Sequence, residues 1–311
     1  MQALPDTMIE TLQTRASLLQ RVRQFFIDRD VLEVDVPVLG KAPVTDPYIE
    51  ALKTENLGQT LYLQTSPEYY MKRLLAADSG SIFYLNKAFR AEESGRLHSP
   101  EFTMLEWYRV GFDDQQLMDE IDALLQMVLA CEKAERVSYQ ALFEQHFQIN
   151  PHAVALSTLQ SLVKEHCGDL IGLENPTETD CLQLLFSEVI EPTLGQDRPA
   201  FVIDYPQAQA ALAKLKTVDG QTVASRFEVF YKGIELANGY HELTDAAEQR
   251  KRFEVDLAQR KQLGLPEVPI DEDLLAALAQ GLPDCAGVAL GFDRLLMLSL
   301  KLDTIDSATC F

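Results

Sequence analysis

Apolar residues recur at two different periods along this chain. Leu18, Val22, Phe25 and Phe26 fall at helical spacing and predict an amphipathic helix over residues 15–29. The next segment, VLEVDVPVL (31–39), alternates instead, so that Leu32, Val34, Val36 and Val38 share one face of an expected strand. Pro37 cannot donate to a ladder, which puts that strand at an edge or an interface. TLYLQT (60–65) reads as another strand. Ser66-Pro67 then makes a helix start, Ser as cap and Pro in the first turn, for a helix running to about Ala77.

Further on, strands are expected at 82–89 and over FTMLEWYRV (102–110), with a polar loop between them. Leu117, Ile121, Leu124 and Val128 line one face of a helix over 114–134. Residues 150–220 read as mixed and mostly helical. RFEVFYKGIELANGY (226–240) has the form of a hairpin, and 244–263 and 271–280 of helices. CAGVALGFDRLLMLSL (285–300) reads as a buried strand running into a helix. Strands are neighbours in sequence and helices come in blocks between them, not in strict βαβ alternation. The expected class is therefore α+β, a mostly antiparallel sheet flanked by helices. No repeat and no low-complexity linker interrupts the 311 residues, so a single domain over 1–311 is expected.

Charge narrows the function. The chain carries 27 basic and 48 acidic residues, a formal charge of −21, and has no Lys/Arg-rich tract. A large RNA or DNA footprint needs basic surface to neutralise phosphate, and an anionic membrane surface needs the same. Both are disfavoured. Five widely spaced cysteines (Cys131, Cys167, Cys181, Cys285, Cys310) with no CxxC suggest neither a disulfide framework nor a zinc site. The N-terminal MQALPDTMIE has no secretory pattern and no apolar run is of membrane-spanning length, so a cytoplasmic location is expected.

No GxxxxGK[ST] or GxGxxG occurs, so any nucleotide must be held by side chains. FRAEESGRLHSPEFTMLEWYR (89–109) places Arg90, Arg96 and His98 in a strand–loop–strand unit, and arginine suits phosphate oxygens. Strand alternation puts Phe102, Met104, Glu106 and Tyr108 on one side, a floor fit for an aromatic base and an amine. The same residues would also serve as a charged hairpin over a core aromatic. In FEVFYKGIELANGYHEL (227–243) a Lys232-Gly233 turn would pair Phe230 with Glu235 and Glu228 with Ala237. Glu228 and Glu235 would then be diagonal neighbours with magnesium between them, or two glutamates on a solvated face. In GVALGFDR (287–294) Gly291 opens a helix and Arg294 lies in its first turn, a place for an anion or for a structural ion pair. The histidines His146, His152, His166 and His241 and the lone Trp107 show no spacing for a metal site or triad and are read as structural.

Taken together, these stretches carry a resemblance. FRAEESGRLHSPEF resembles motif two of class II aminoacyl-tRNA synthetases, GVALGFDRLLML resembles motif three, and the helix at 15–29 with the strand reaching Pro37 resembles motif one, which in that class forms a dimer interface. GIELANGYHEL and TSPEYYMKRLL are similar to the lysine-specific branch. Motif one begins near residue 15, leaving no room for an anticodon-binding OB-fold. That truncated pattern, with PEFTMLEWYR and Ala289, resembles the family of elongation factor P–(R)-β-lysine ligases.

The resemblance implies a class II synthetase-like core that activates (R)-β-lysine or lysine with ATP and Mg2+ and passes it to elongation factor P, as a homodimer and without tRNA. A minimal lysine-activating enzyme with another acceptor, or a non-catalytic ATP-binding paralogue, are the alternatives. It implies that Arg90 and Arg294 are catalytic. Arg90, Ala91, Glu92, His98, Ser99, Phe102, Glu235, Leu236, Gly291 and Arg294 would bind ATP, with Phe102 stacking on adenine. Ser66, Pro67, Glu68, Glu106, Tyr108, Asn238, Tyr240, Glu242 and Ala289 would form the substrate pocket, and Glu228 and Glu235 would hold the metal. Two departures stand out: the family has Asn where this chain has Ala91, and Asn where it has Ser99.

Overall fold

Residues at helical spacing near the N-terminus do form a helix, and it begins earlier than the spacing predicts, at Asp6. The computed structural model describes residues 6–91, 94–168 and 176–309. In chain order the elements are α1 (Asp6–Ile27), β1 (Leu32–Glu33), β2 (Leu39–Gly40), β3 (Lys53–Asn56), β4 (Gln59–Leu63), α2 (Glu68–Ala76), β5 (Ile82–Phe89) and β6 (Glu101–Val110). Then come α3 (Asp114–Leu129), β7 (Glu135–Ser138), α4 (Tyr139–Phe147), α5 (Leu156–Cys167), α6 (Glu178–Leu185), β8 (Ala200–Pro206), β9 (Leu215–Val218), β10 (Gln221–Tyr231) and β11 (Ile234–His241). The last are α7 (Ala246–Gln262), α8 (Glu272–Gly281), β12 (Cys285–Gly291), α9 (Phe292–Leu300) and α10 (Ile305–Thr309). Contacts group them into two compact units: one holds the chain through Asp113, Met127–Leu129 and everything from Leu243; the other holds Asp114–Gln126 and Ala130–Glu242. The strands are mostly antiparallel, and the class is α+β.

In the first unit the strand order is β1-β5-β6-β12, with β2-β4-β3 as a separate small sheet. Tyr84 lies opposite Glu106 and Ile82 opposite Tyr108 across β5 and β6. On the other side of β6, Ala289 lies opposite Glu106, Gly287 opposite Tyr108 and Gly291 opposite Met104. Trp107, on the reverse face, is fully buried, and the Phe26 ring of α1 packs edge-on to it at 5.1 Å and stacks on Phe83 at 4.7 Å. Trp107 is thus a core residue.

The expected strand over 31–39 is corrected. It is two short strands in different sheets, β1 parallel to β5 and β2 antiparallel to β4. Leu32 and Val38 are exposed, so the four alternating residues do not share one buried face. Pro37, without an N–H, stands where the segment leaves one sheet for the other.

One carboxylate gathers three elements of this unit. Asp293, in the first turn of α9, is 2% exposed. It accepts from Arg15 Nη1 of α1 at 2.6 Å and from the backbone N–H of Thr103 in β6 at 2.7 Å. Arg15 Nη2 also donates to the Thr103 hydroxyl at 2.6 Å. A charge this buried is tolerated because it is paired and hydrogen-bonded.

In the second unit the order is β11-β10-β8-β7, with β9 on β10. Aromatic rings fill its core: Tyr139 stacks on Phe143 at 4.7 Å and on Phe186 at 5.3 Å, and meets Tyr205 at 5.0 Å. The helix over 114–134 stops at Leu129, where Ala130 turns to φ 50°. The stretch 150–220 holds β8 and β9 besides α5 and α6, so it is less helical than its composition suggests. Lys232 and Gly233 both have positive φ, which suits the two-residue turn joining twisted strands. Phe230 does pair with Glu235, but Glu228 pairs with Asn238, not with Ala237. A bulge causes the shift: Val229 pairs with Ala237, so Leu236 is an extra residue in β11.

Two predictions follow from this packing. Asp293→Ala strands Arg15 and should lower unfolding stability by about 3 kcal/mol or more in urea titration; a loss under about 1 kcal/mol would show that the network is incidental. A Cβ on Gly239 would lie 2.3 Å from the Phe227 ring carbon Cζ. Gly239→Ala should therefore cost about 1–3 kcal/mol by overpacking, and Gly239→Ala with Phe227→Leu should recover part of it.

Candidate active site

Each unit carries a cluster of the residues singled out above. In the first, β6 presents Phe102, Met104, Glu106 and Tyr108 on one face, because strand residues alternate. Glu106 is 2% exposed. Its Oε2 accepts from the Ser66 hydroxyl at 2.7 Å, and its Oε1 from the Tyr108 hydroxyl at 2.7 Å. Ser66 Oγ also receives the Glu68 backbone N–H at 3.0 Å, so it starts α2 as well as holding Glu106. The Glu68 carboxylate pairs with Lys72 at 2.7 Å, and Lys72 is 1% exposed. Pro67 lies between them and precedes the first turn of α2.

What stands opposite this face matters as much. The β12 residues that share it are Gly287, Ala289 and Gly291, the smallest available. Their alternate neighbours Val288 and Leu290 turn into the core. Small residues here leave room over Tyr108, Glu106 and Met104. The GxAxG spacing in the sequence was a usable signal for this.

At the other end of the face, Arg90 follows β5, and its guanidinium lies 5.2 Å from the Phe102 ring centroid. Arg90 is anchored by its N–H to Pro100 O, and Ala91 by its N–H to Glu50 O at 2.8 Å. Ala91 is thus fixed through its backbone. Buried Arg260 of α7 reaches the same Glu50 at 2.9 Å. Glu92 lies outside the described residues. Gly95 and His98 close a tight hairpin. Arg294, in the first turn of α9, donates from Nε to Leu97 O at 3.2 Å and from Nη2 to His98 Nε2 at 2.8 Å. Since arginine only donates, His98 Nε2 accepts, and the ring carries its proton on Nδ1. A Cβ on Gly291 would lie 3.5 Å from Arg294 Cδ, an ordinary van der Waals contact, so the path of that arginine does not itself require glycine there. Ser99 is half-buried in the same loop.

In the second unit, Glu228 is buried and held from both sides. Arg226 Nη2 donates to its Oε1 at 2.5 Å, and the Tyr205 hydroxyl to its Oε2 at 2.5 Å. Burial raises the Tyr205 pKa well above its ordinary value, and Glu228 raises it further, so the phenol remains a donor. Burial alone would lower the Arg226 pKa. Glu228 reverses that, with help from Tyr240, Tyr205 and Glu235, and the guanidinium stays charged. Arg226 also reaches Asn238 Oδ1 at 3.3 Å and Gln209 O at 2.8 Å. A protein arginine therefore lies beside Glu228. Sequence reasoning missed Arg226, although the R-F-E spacing puts it on the face of Glu228. It also missed Tyr205, which comes from β8 and has no local signal. Asn238 faces Glu228 directly, Tyr240 faces Arg226, and Glu242 is fully buried beside Ala213. Leu236 is the bulge residue and has no partner in the β10–β11 ladder.

Among the described residues, no group of three or more His, Cys, Asp or Glu could hold a metal by itself. Cys131, Cys167 and Cys181 are free thiols. No helix among those residues is long and apolar enough to cross a membrane.

Comparison with known proteins identifies the family. The family model for class II tRNA synthetases (D, K and N) matches residues 1–311 and so runs through both units. A Vibrio cholerae protein named elongation factor P–(R)-β-lysine ligase is 53% identical over 99% of this chain and 97% of its own length. Proteins of the same name from Vibrio parahaemolyticus and Sodalis glossinidius are 52% and 51% identical, covering 99% of this chain and 97% and 96% of theirs. With identity at this level along the whole length, and with the motif residues gathered as described, the chain belongs to the class II tRNA synthetase family.

Proposed function

We propose that this chain is an ATP-dependent, AMP-forming ligase that activates (R)-β-lysine, or lysine, and transfers it to a lysine side chain of elongation factor P. One observation carries the reading. A buried carboxylate held by Ser66 and Tyr108 shares a face of β6 with Phe102, over which Arg90 lies. Four residues of strand, about 13 Å, separate Glu106 from Phe102. That span suits an amino acid extended between an amine-binding glutamate and a phosphate-binding arginine. The relatives' names support the choice of substrate and acceptor. A role in translation fits a cytoplasmic location, and the charge of −21 speaks against tRNA as acceptor.

The substrate carboxylate attacks the α-phosphorus of ATP and pyrophosphate leaves. A carboxylate is ionised at pH 7, so this step needs no general base. Arg90 and Arg294 stabilise the charge that develops on the phosphates, and Phe102 supports the adenine. For the two ammonium groups the first unit offers the charge of Glu106 and Glu68, with Ser66, Tyr108 and Ala289 beside them, and the second offers Glu242, with Asn238 and Tyr240. Glu228 and Glu235 would hold magnesium. They fit one that arrives on the nucleotide, because two carboxylates on one face suffice when phosphates complete the shell, and each Glu228 oxygen keeps a second lone pair beside its hydrogen bond. Bound there, the ion would draw charge from the pyrophosphate. In the second step the acceptor amine loses a proton, attacks the acyl carbon and displaces AMP.

Exposed Ile9 and Ile27 of α1, with Leu32, Val38 and Leu39 just beyond, support a homodimer built on this segment. Sedimentation should give twice the chain mass, and a monomer would remove this part of the reading.

Arg90→Ala should lower pyrophosphate exchange by roughly 100- to 1000-fold, about 2.7–4 kcal/mol. Near-normal exchange would sink the adenylation mechanism. With ATP, magnesium and labelled β-lysine, and with elongation factor P and bulk tRNA both offered, label should appear on the protein. Label on tRNA alone would overturn the acceptor assignment.

A further inference from the structure

Gln64 follows β4 and is 8% exposed. Its backbone N–H donates to Val38 O at 2.9 Å, and its carbonyl accepts from the Phe89 N–H at 2.9 Å. Its side-chain Nε2 donates to the Tyr84 hydroxyl at 2.6 Å and to Lys87 O at 3.0 Å. The Tyr84 hydroxyl in turn donates to Lys87 O at 2.9 Å. Burial pushes the Tyr84 pKa up to about 12, so the hydroxyl keeps its proton.

These contacts fix which way the amide points. Lys87 O can only accept, so the atom facing it must be the nitrogen. The oxygen, Oε1, then faces away from the Tyr84–Lys87 pair. It is buried and accepts no hydrogen bond from any described residue. An orphaned buried acceptor destabilises a fold, and one that persists calls for an explanation in function.

Its surroundings supply one. Gln64 is hydrogen-bonded to Phe89, the residue before Arg90. Tyr84, which it also binds, lies opposite Glu106 in the β5–β6 register. Ser66, two residues along the chain, donates to Glu106. Gln64 is thus tied to both ends of the interval from the arginine assigned to the phosphates to the carboxylate assigned to a substrate amine. In an adenylating enzyme that interval belongs to the reacting carboxyl and the carbons next to it. An ammonium on those carbons has three N–H donors and needs acceptors.

We infer that Gln64 is a specificity-determining residue whose Oε1 accepts a hydrogen bond from the ammonium group nearest the substrate carboxyl. That ammonium is on the second carbon in lysine and on the third in β-lysine. The inference rests on the adenylation reading above and names a residue for substrate choice within it.

The test is Gln64→Met, similar in volume but without the acceptor, assayed by pyrophosphate exchange. Three substrates are compared: lysine, β-lysine and 6-aminohexanoate, which lacks the carboxyl-proximal amine. The variant should lose roughly 10- to 100-fold in kcat/KM for at least one of the two diamino acids and be unchanged for 6-aminohexanoate, the range expected for a hydrogen bond to a charged group. Equal losses on all three would make Gln64 a brace for Tyr84 and Phe89 and overturn the inference. No loss on any would mean that Oε1 is satisfied by water, and would overturn it too. If Gln64→Met does not fold, Gln64→Asn, which withdraws the oxygen by one methylene, is read by the same outcomes. Wild-type protein inactive with both diamino acids would overturn the adenylation reading itself, and this inference with it. Wild-type activity without a substrate-dependent loss in the variant overturns this inference alone.

Discussion

The Asp293 carboxylate is the constraint on which the first unit depends. It is almost without solvent, so its charge must be answered inside the protein, and three elements supply the answer. α1 gives Arg15, β6 gives a backbone N–H, and α9 carries the carboxylate itself. The next residue after Asp293 is Arg294, and the residue before Thr103 is Phe102. Fixing the one pair therefore fixes the other, because neither side chain can move far without pulling on a buried ion pair.

On that frame the pocket arises from a contrast across the sheet. β6 puts a carboxylate and a phenol on one face, and β12 answers them with glycine, alanine and glycine. The reverse faces hold Trp107, Val288 and Leu290 and make the core. A single alternation thus separates chemistry from packing. Buried carboxylates are costly, and both Glu106 and Glu228 meet the cost in the same way, each with a tyrosine hydroxyl and one further donor.

Much of this was legible beforehand where the signal is local. The period-2 run in FTMLEWYR placed Glu106 and Tyr108 together, Lys232-Gly233 announced its turn, and Gly291 announced the start of α9. The motifs carried the family. What was hidden depends on contacts distant in sequence. Tyr205 meets Glu228 from β8, Arg15 meets Asp293 across 278 residues, and Gln64 meets Tyr84 through a buried amide. The split of residues 31–39 between two sheets was hidden too, since alternation in sequence does not say which sheet a residue joins. The exposed Leu32 and Val38 obey the pattern without the burial that usually accompanies it.

The extra residue in β11 has an effect beyond its own position. Side chains of a strand point alternately to two faces, so leaving one residue out of the ladder exchanges the faces of all that follow, compared with a regular pairing of the same sequence. In a regular ladder without the bulge, Leu236 would pair with Val229, so Asn238 and Tyr240 would turn away from Glu228 and Arg226, and Ala237 and Gly239 would take their places. The order of amino acids in GIELANGY would be intact and its polar side chains would be on the wrong side. The hairpin's chemistry thus depends on parity, the odd or even count of residues between turn and site, which a comparison of residue types alone does not register.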